Sequence, residues 1–164
     1  MSVELHRPFM IGQIPALGAD VTVEATPAEC SALALRMALP EVRSVRCRFH
    51  LVRVSNSIVS ATGVLTARVI QTCVISAEDF EAAVEEKFSV RFVPLGTEQE
   101  EADPESDDEI PYENGLLDLG EAAAEQLGLG LDPYPRAPNA ELPAVESEPE
   151  PHPFAALDRL RRAN

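Results

Sequence analysis

Apolar and polar residues alternate along three long stretches of the chain, which is the pattern of β-strands that bury one face. Residues 42–54, 58–75 and 84–93 each follow this alternation, and residues 21–25 repeat it over a shorter distance. The predicted buried face consists of Val45, Cys47, Phe49 and Leu51, then Val59, Ala61, Leu65, Ala67, Val69, Cys73 and Ile75, then Phe88, Val90 and Phe92.

The connections between these strands favour an antiparallel sheet. Ser55-Asn56-Ser57 is a polar turn sequence, so the first two long strands are predicted to form a hairpin, with Gly63 as a candidate β-bulge. Ser76 to Ala83 is short and acidic and is predicted to form one helical turn before the third strand. The expected fold class is therefore α+β, with an antiparallel sheet of three or four strands and helices packed on its apolar face.

The first helix has clear start and stop signals. Thr26 is the predicted N-cap, Pro27 occupies the first helical position, and Glu29 completes a capping box. Pro40 ends the helix. The face expected to pack on the sheet consists of Ala28, Ala32, Leu35 and Leu39.

A second helix is predicted between Asp118 and Pro133, directly after the turn sequence Asn114-Gly115. Asp118 is its predicted N-cap and Glu121 completes a capping box. One apolar stripe is formed by Leu119, Ala123, Leu127 and Leu131. A capped helix with such a stripe is expected to pack on the chain's own sheet or on a partner.

Composition divides the chain into one domain and a tail. Residues 1–136 are predicted to form a single domain, interrupted by a mobile acidic loop at 95–107. Nine acidic residues and no Lys or Arg lie between Glu98 and Glu113. Residues 137–153 form a Pro/Glu-rich extended linker, and residues 154–164 a short amphipathic C-terminal helix.

The formal net charge of -15 is distributed unevenly over the 164 residues. Residues 1–73 hold seven Arg against five acidic residues, whereas residues 74–164 hold six basic and 23 acidic residues. An acidic total argues against general binding to nucleic-acid phosphates and is typical of a soluble protein or one that meets basic partners. No secretory signal and no membrane span are predicted, so the expected location is the cytoplasm.

Four sequence pieces resemble the YceD family, the bacterial large-ribosomal-RNA subunit accumulation proteins. They are the run from Gly63 to Val74, the acidic motif DEIPYENGLLDLGE at 108–121, LDPYPR at 131–136 and PFAAL at 153–157. The resemblance implies a non-enzymatic factor that supports synthesis or accumulation of 23S ribosomal RNA during large-subunit assembly. Many relatives carry Cys-x-x-Cys where Cys73 is followed here by Val74, Ile75 and Ser76, so a metal site is not carried over.

Basic residues fall on the outward positions of the predicted strands. If the strands pair as expected, one exposed sheet surface presents Arg46, Arg48, His50, Arg68, Lys87 and Arg91. This pattern has two interpretations, a patch for RNA phosphates and an ordinary solvated sheet surface with Glu85, Ser and Thr mixed in. A third is that the acidic loop folds back and masks the surface.

The acidic motif has a docking interpretation, in which a partner contacts apolar or amphipathic groups next to charge. The candidate docking residues are Asp108, Glu109, Ile110, Tyr112, Leu119, Tyr134 and Arg136. The alternative is that the same groups pack on the chain's own sheet. A magnesium site built from Asp118, Glu121 and the acids at 107–109 is disfavoured, because no phosphate loop or base accompanies it.

No enzyme, cofactor or metal is expected. Cys30, Cys47 and Cys73 are isolated and are predicted to be small buried hydrophobes rather than zinc ligands. The preferred function is a biogenesis factor that contacts 23S rRNA, its precursor or an assembly intermediate through the basic surface. The alternative is an acidic protein-binding module that holds a basic large-subunit ribosomal protein without touching RNA.

Overall fold

A computed structural model of the protein describes residues 4–97, 104–142 and 144. The elements run in the order β1 (Pro8–Met10), a 3-10 turn (Ile11–Gln13), β2 (Ala19–Glu24), α1 (Pro27–Arg36), β3 (Glu41–Arg53), β4 (Val59–Thr72), β5 (Asp79–Pro94), β6 (Asp108–Tyr112), β7 (Leu116–Asp118) and α2 (Leu119–Gly130). The α+β class is therefore confirmed.

The main sheet has five strands in the order β2-β3-β4-β5-β6, and β1 pairs with β7 in a separate two-stranded sheet. The expectation of three or four antiparallel strands was wrong in two respects. A fifth strand, β6, joins the edge, and it runs parallel to β5 with Val90 beside Asp108. Its five residues include Pro111 and show no alternation that would have marked them as a strand.

The predicted alternation of buried and exposed residues is confirmed in β3 and β4. Cys47, Leu51, Ala61 and Leu65 are completely buried. The helix α2 packs on this apolar surface over β4 and β5, and its residues Leu119, Ala123 and Leu127 belong to the same buried cluster. The amphipathic stripe of α2 therefore packs on the chain's own sheet.

The helix α1 begins as predicted but buries a different face. The Thr26 side chain accepts from the Glu29 amide, and the Glu29 carboxylate accepts from the Thr26 amide, so the capping box is confirmed. Leu35, predicted to be buried, is 85% exposed. The buried residues are Cys30, Leu33 and Ala34, because the helix lies along β3 with this neighbouring stripe facing the sheet.

Two local predictions in the hairpin strands were wrong. Gly63 pairs in regular register with Phe49 and Phe88, and the irregularity in β3 lies between Val42 and Ser44 instead. The helical turn predicted for residues 76–83 is absent, because β5 already begins at Asp79 opposite Thr72. In contrast, Asn114 and Gly115 both have positive φ angles of 54° and 70°, as the predicted turn requires.

Part of the predicted acidic loop and most of the predicted tail at 137–164 lie outside the described residues. The structure does not describe residues 98–103 of the loop at 95–107, or residues 143 and 145–164, which include the predicted C-terminal helix. Residues 104–107 lead directly into β6.

Candidate nucleic-acid interface

The surface of the main sheet opposite α2, here called the outward face, carries all six predicted cationic positions. Strand pairing aligns Ser44 with Arg68, Arg46 with Thr66, and Arg48 with Val64 on β3 and β4. On β5, Lys87 lies beside Val64 and Arg91 beside Ser60. Because paired residues project to the same side of a sheet, Arg46, Arg48, His50, Arg68, Lys87 and Arg91 share the outward face.

One row across this face holds two cations and no acid. It runs from Thr22 through Arg48 and Val64 to Lys87 on four successive strands. Arg48 and Lys87 are two strands apart, which is about 10 Å at the usual strand spacing. Neither of them forms an ion pair with any residue that the structure describes. We call this set the Arg48 row.

Other cations of the outward face are partly neutralised by carboxylates. Arg46 Nε lies 3.4 Å from Glu24 Oε1, and Arg68 Nη1 lies 3.0 Å from Glu81 Oε1. His50 Nδ1 lies 2.7 Å from Asp20 Oδ1. The outward face is therefore a mixed surface, and uncompensated positive charge is concentrated in the Arg48 row.

The last predicted cation, Arg91, lies at the other end of the face. In the parallel pairing of β5 with β6 its neighbour is Glu109. Close to it, the Ser89 hydroxyl donates a 3.0 Å hydrogen bond to Asp107 Oδ2. The described end of the acidic segment thus meets the outward face at its β5–β6 edge.

A groove of about 840 Å³ crosses the sheet beside the Arg48 row. Its walls are the side chains of the Arg48 row and of the next row, Asp20, His50, Thr62 and Ser89. Val21, Phe49, Gly63 and Phe88 also line it, and because their side-chain positions are on the opposite surface, they contribute backbone to its floor. On the opposite side of the sheet the Phe88 ring occupies the space over Gly63 and contacts Phe49 edge-to-face at a centroid distance of 5.7 Å. The groove therefore offers guanidinium, ammonium and hydroxyl donors over a regular backbone floor.

Among the candidate docking residues, Leu119, Ile110 and Tyr112 make side-chain contacts with other parts of the chain. Leu119 is 0% exposed, and Ile110 packs at the border of the core. The Tyr112 hydroxyl donates a 2.6 Å hydrogen bond to the Ser57 carbonyl. Leu119 is thereby excluded as a partner-contacting residue, because its side chain already lies inside the protein.

The other four docking residues lie nearer the surface and are not gathered into one patch. Asp108 and Glu109 lie on β6, whereas Tyr134 and Arg136 lie beyond α2. Tyr134 is 72% exposed and Arg136 is exposed. A partner surface built from these residues remains a proposal.

The acidic residues of the LDLGE motif at 117–121 connect α2 to the N-terminal segment and to α1. Asp118 Oδ1 accepts hydrogen bonds from the amides of Gly120 and Glu121, as an N-cap does, and also from the Arg7 amide. The Glu121 carboxylate accepts two hydrogen bonds from Arg36. Burial raises the pKa of the Asp118 carboxyl, but the hydrogen bonds from Arg7, His6 and Glu121 outweigh it and lower the pKa.

The carboxylates of Asp118 and Glu121 are thus engaged in hydrogen bonds within the chain. Within residues 4–97, 104–142 and 144, no group of three His, Cys, Asp or Glu side chains is arranged to hold a metal ion. In the same residues no helix is long and apolar enough to cross a membrane.

The segment after α2 is attached to the end of β4, which the sequence patterns did not indicate. Gln71 Nε2 donates to the Asp132 carbonyl at 3.1 Å, and the Val74 amide donates to the Pro135 carbonyl at 2.9 Å. Cys73 Sγ accepts from the Ala137 amide at 3.3 Å. Hydrogen bonds from Ser76 and from Ala137 lower the pKa of the Cys73 thiol to about 7. The thiol thus serves as an acceptor that joins two distant segments.

Comparison with known protein families assigns more than half of the chain to one family. Residues 61–161 match the family model described as large ribosomal RNA subunit accumulation protein YceD. The chain belongs to the YceD family. The match to the YceD model begins inside β4, so it includes Arg68, Lys87 and Arg91 but not Arg46, Arg48 or His50. No curated protein and no solved structure matches the chain.

Proposed function

We propose that this protein supports the accumulation of large-subunit ribosomal RNA by binding 23S rRNA, its precursor or an assembly intermediate through the outward face. The description of the YceD family supports the process. The observation that carries the contact is the Arg48 row, where Arg48 and Lys87 project from the same face without an acidic partner among the described residues. The protein is proposed to act without catalysis, in the cytoplasm.

The chemistry of the face suits phosphate groups. Arg and Lys supply most of the affinity of proteins for nucleic-acid backbones, and Ser and Thr hydroxyls add hydrogen bonds that position the RNA. The groove walls contain Arg48, Lys87, Thr22 and Thr62. Exposed ion pairs such as Arg46–Glu24 are worth roughly 0–1 kcal/mol, so a phosphate competes with them at little cost.

The acidic remainder of the chain restricts where RNA is held. With a net charge of -15, most of the surface repels a polyanion, and attraction is confined to the few uncompensated cations. Binding of this kind is local and weak for arbitrary RNA. A preference for an assembly intermediate then requires shape or protein contacts in addition to charge.

The test uses the purified full chain and fragments of 23S rRNA in a mobility-shift titration. Reversal of both charges of the Arg48 row, Arg48→Glu with Lys87→Glu, is expected to abolish binding. Arg53→Glu is the matched control, because Arg53 is an exposed arginine at the end of β3 and belongs to no row of the groove. Unchanged binding by the double variant would reject the proposal.

A basic large-subunit ribosomal protein held without RNA contact is the second candidate. The 23 acidic residues in residues 74–164 and the exposed Tyr134 favour it. Crosslinking in cells separates the two functions. The second candidate predicts that only ribosomal protein adducts are recovered. These adducts should be lost in Tyr134→Ala and retained in the Arg48→Glu, Lys87→Glu double variant. This result would establish the second candidate in place of the first.

A further inference from the structure

We infer that the outward face takes the sugar–phosphate backbone of double-helical RNA and not the unstacked bases of a single strand. This inference rests on the proposed function, since it specifies which form of RNA the same face binds. Two observations support this inference. The described outward positions carry no Phe, Tyr or Trp, and the cations of the outward face are spread along the strands.

The outward positions of the five strands carry no Phe, Tyr or Trp among the described residues. Strand pairing assigns the aromatic residues of β3 to β6 to the opposite surface, on which α2 packs. They are Phe49, Phe80, Phe88, Phe92 and Tyr112. The outward residues of β4 are Ser60, Thr62, Val64, Thr66, Arg68, Ile70 and Thr72. The centre of the face is therefore small and polar or aliphatic.

Proteins that hold single-stranded nucleic acid place aromatic rings where successive bases stack, and each stacked base is worth roughly tenfold in affinity or more. Within the part of the chain that the structure describes, the outward face offers no such ring from Phe, Tyr or Trp. Its one imidazole, His50, is already hydrogen-bonded to Asp20. Double-helical RNA, in contrast, is recognised through phosphates and 2′-hydroxyls, for which Arg, Lys, Ser and Thr are suitable partners.

The cations are distributed over a length that suits a helical stem. Arg68 and Arg91 lie at opposite ends of the face. Arg68 is on β4 itself, and Arg91 on β5 is paired with Ser60 of β4, eight residues from Arg68. Eight residues of strand span about 27 Å. The Arg48 row lies between these ends, so phosphates are contacted at several points along one direction. A regular double helix presents phosphates at fixed intervals over such a distance, whereas a flexible strand must be ordered to do so.

The experiment compares two RNA probes with equal numbers of phosphates, a fully paired hairpin and an oligouridine that forms no helix. Binding of the full chain to each is measured by fluorescence anisotropy at one low salt concentration. The hairpin is expected to bind at least roughly tenfold more tightly, since the single strand has no stacking surface here. Lys87→Ala and Arg48→Ala are each expected to weaken hairpin binding severalfold, with Arg53→Ala unchanged.

Three results would overturn the inference in distinguishable ways. Equal or tighter binding of oligouridine would show that the face accepts single strands, while leaving the proposed function intact. Equal losses in Lys87→Ala and Arg53→Ala would show that hairpin binding does not use the outward face. Failure of the folded protein to bind either probe or 23S fragments would remove the proposed function and this inference together.

Discussion

The backbone amide of Arg7 donates a 3.0 Å hydrogen bond to the carboxylate of Asp118, 111 residues later in the chain. The same carboxylate oxygen caps α2 through the amides of Gly120 and Glu121. The N-terminal segment is thereby joined to the start of α2, and the pairing of β1 with β7 extends this junction. The acidic LDLGE motif is explained in this protein as a structural junction.

This relationship predicts a graded loss of stability at position 118. Asp118→Ala removes the helix cap and leaves the Arg7 amide without its acceptor, and we expect the free energy of unfolding to fall by roughly 1–3 kcal/mol. Asp118→Asn keeps one acceptor oxygen and is expected to lose less. Urea unfolding followed by circular dichroism measures both. Equal losses in the two variants would contradict the capping account.

A second prediction concerns pH. The two oxygens of Glu29 accept hydrogen bonds of 2.7 and 2.8 Å from Arg7, and this contact lowers the pKa of the Glu29 carboxyl to about 2 from 4.5. Because the pKa is lower in the folded state, the stabilisation is fully present above about pH 4.5 and is lost as the pH falls through about 2.

Glu29→Gln is expected to be less stable than the wild type by roughly 1–3 kcal/mol at pH 7. The difference should narrow as the pH is lowered through this window, because the wild-type carboxyl becomes protonated. Urea titrations of both proteins at pH 7 and at pH 2.5 test it, and the subtraction removes the effect of the other carboxyl groups. A difference that is independent of pH would rule out the ion pair as its source.

Gly63 is predicted to be intolerant of a side chain. A Cβ atom at this position would overlap the ring of Phe88, which in turn packs against Phe49. Gly63→Ala is expected to cost roughly 1–2 kcal/mol, because the ring must leave its edge-to-face contact. Adding Phe88→Leu should recover part of the loss, and a double-mutant cycle by thermal unfolding measures this coupling. Additive effects of the two changes would show that the ring does not limit position 63.

The burial of Leu119 predicts a contrast with Tyr134, since both belong to the candidate docking motif. Leu119→Ala is expected to destabilise the protein by roughly 2–5 kcal/mol, as for other fully buried leucines. Tyr134→Ala, at a 72% exposed side chain, is expected to change the free energy of unfolding by no more than about 0.5 kcal/mol. Similar small effects for both variants would show that Leu119 is not part of the core.

RNA binding through the outward face predicts a specific salt dependence. Loss of one phosphate contact lowers the slope of log affinity against log salt concentration by roughly 1. Arg48→Ala and Lys87→Ala are each expected to show this decrease, and Arg53→Ala should keep the wild-type slope. Titration of a 23S fragment at four salt concentrations measures the slopes. A wild-type slope near zero would contradict any phosphate contact.

Local sequence signals predicted local structure well. The turn at Asn114-Gly115 and the capping box of Thr26 and Glu29 involve residues within three positions of each other, and both are confirmed. The inward positions of β3 and β4 follow from alternation along one strand, which is also local. Predictions that required orientation between elements, such as the buried face of α1, were less successful.

The sequence by itself determined which residues of each long strand share a surface, because successive side chains in a strand project to opposite sides. Only the tertiary structure decided which cations keep their charge uncompensated. Glu24 pairs with Arg46, Glu81 with Arg68, and Asp20 with His50. The members of each pair are 13 to 30 positions apart in the sequence, and the strand register brings them together. The parallel pairing of β6 with β5 also depends on the tertiary structure. It requires an unpaired sheet edge near this short segment, and the residue pattern of the segment does not specify that edge.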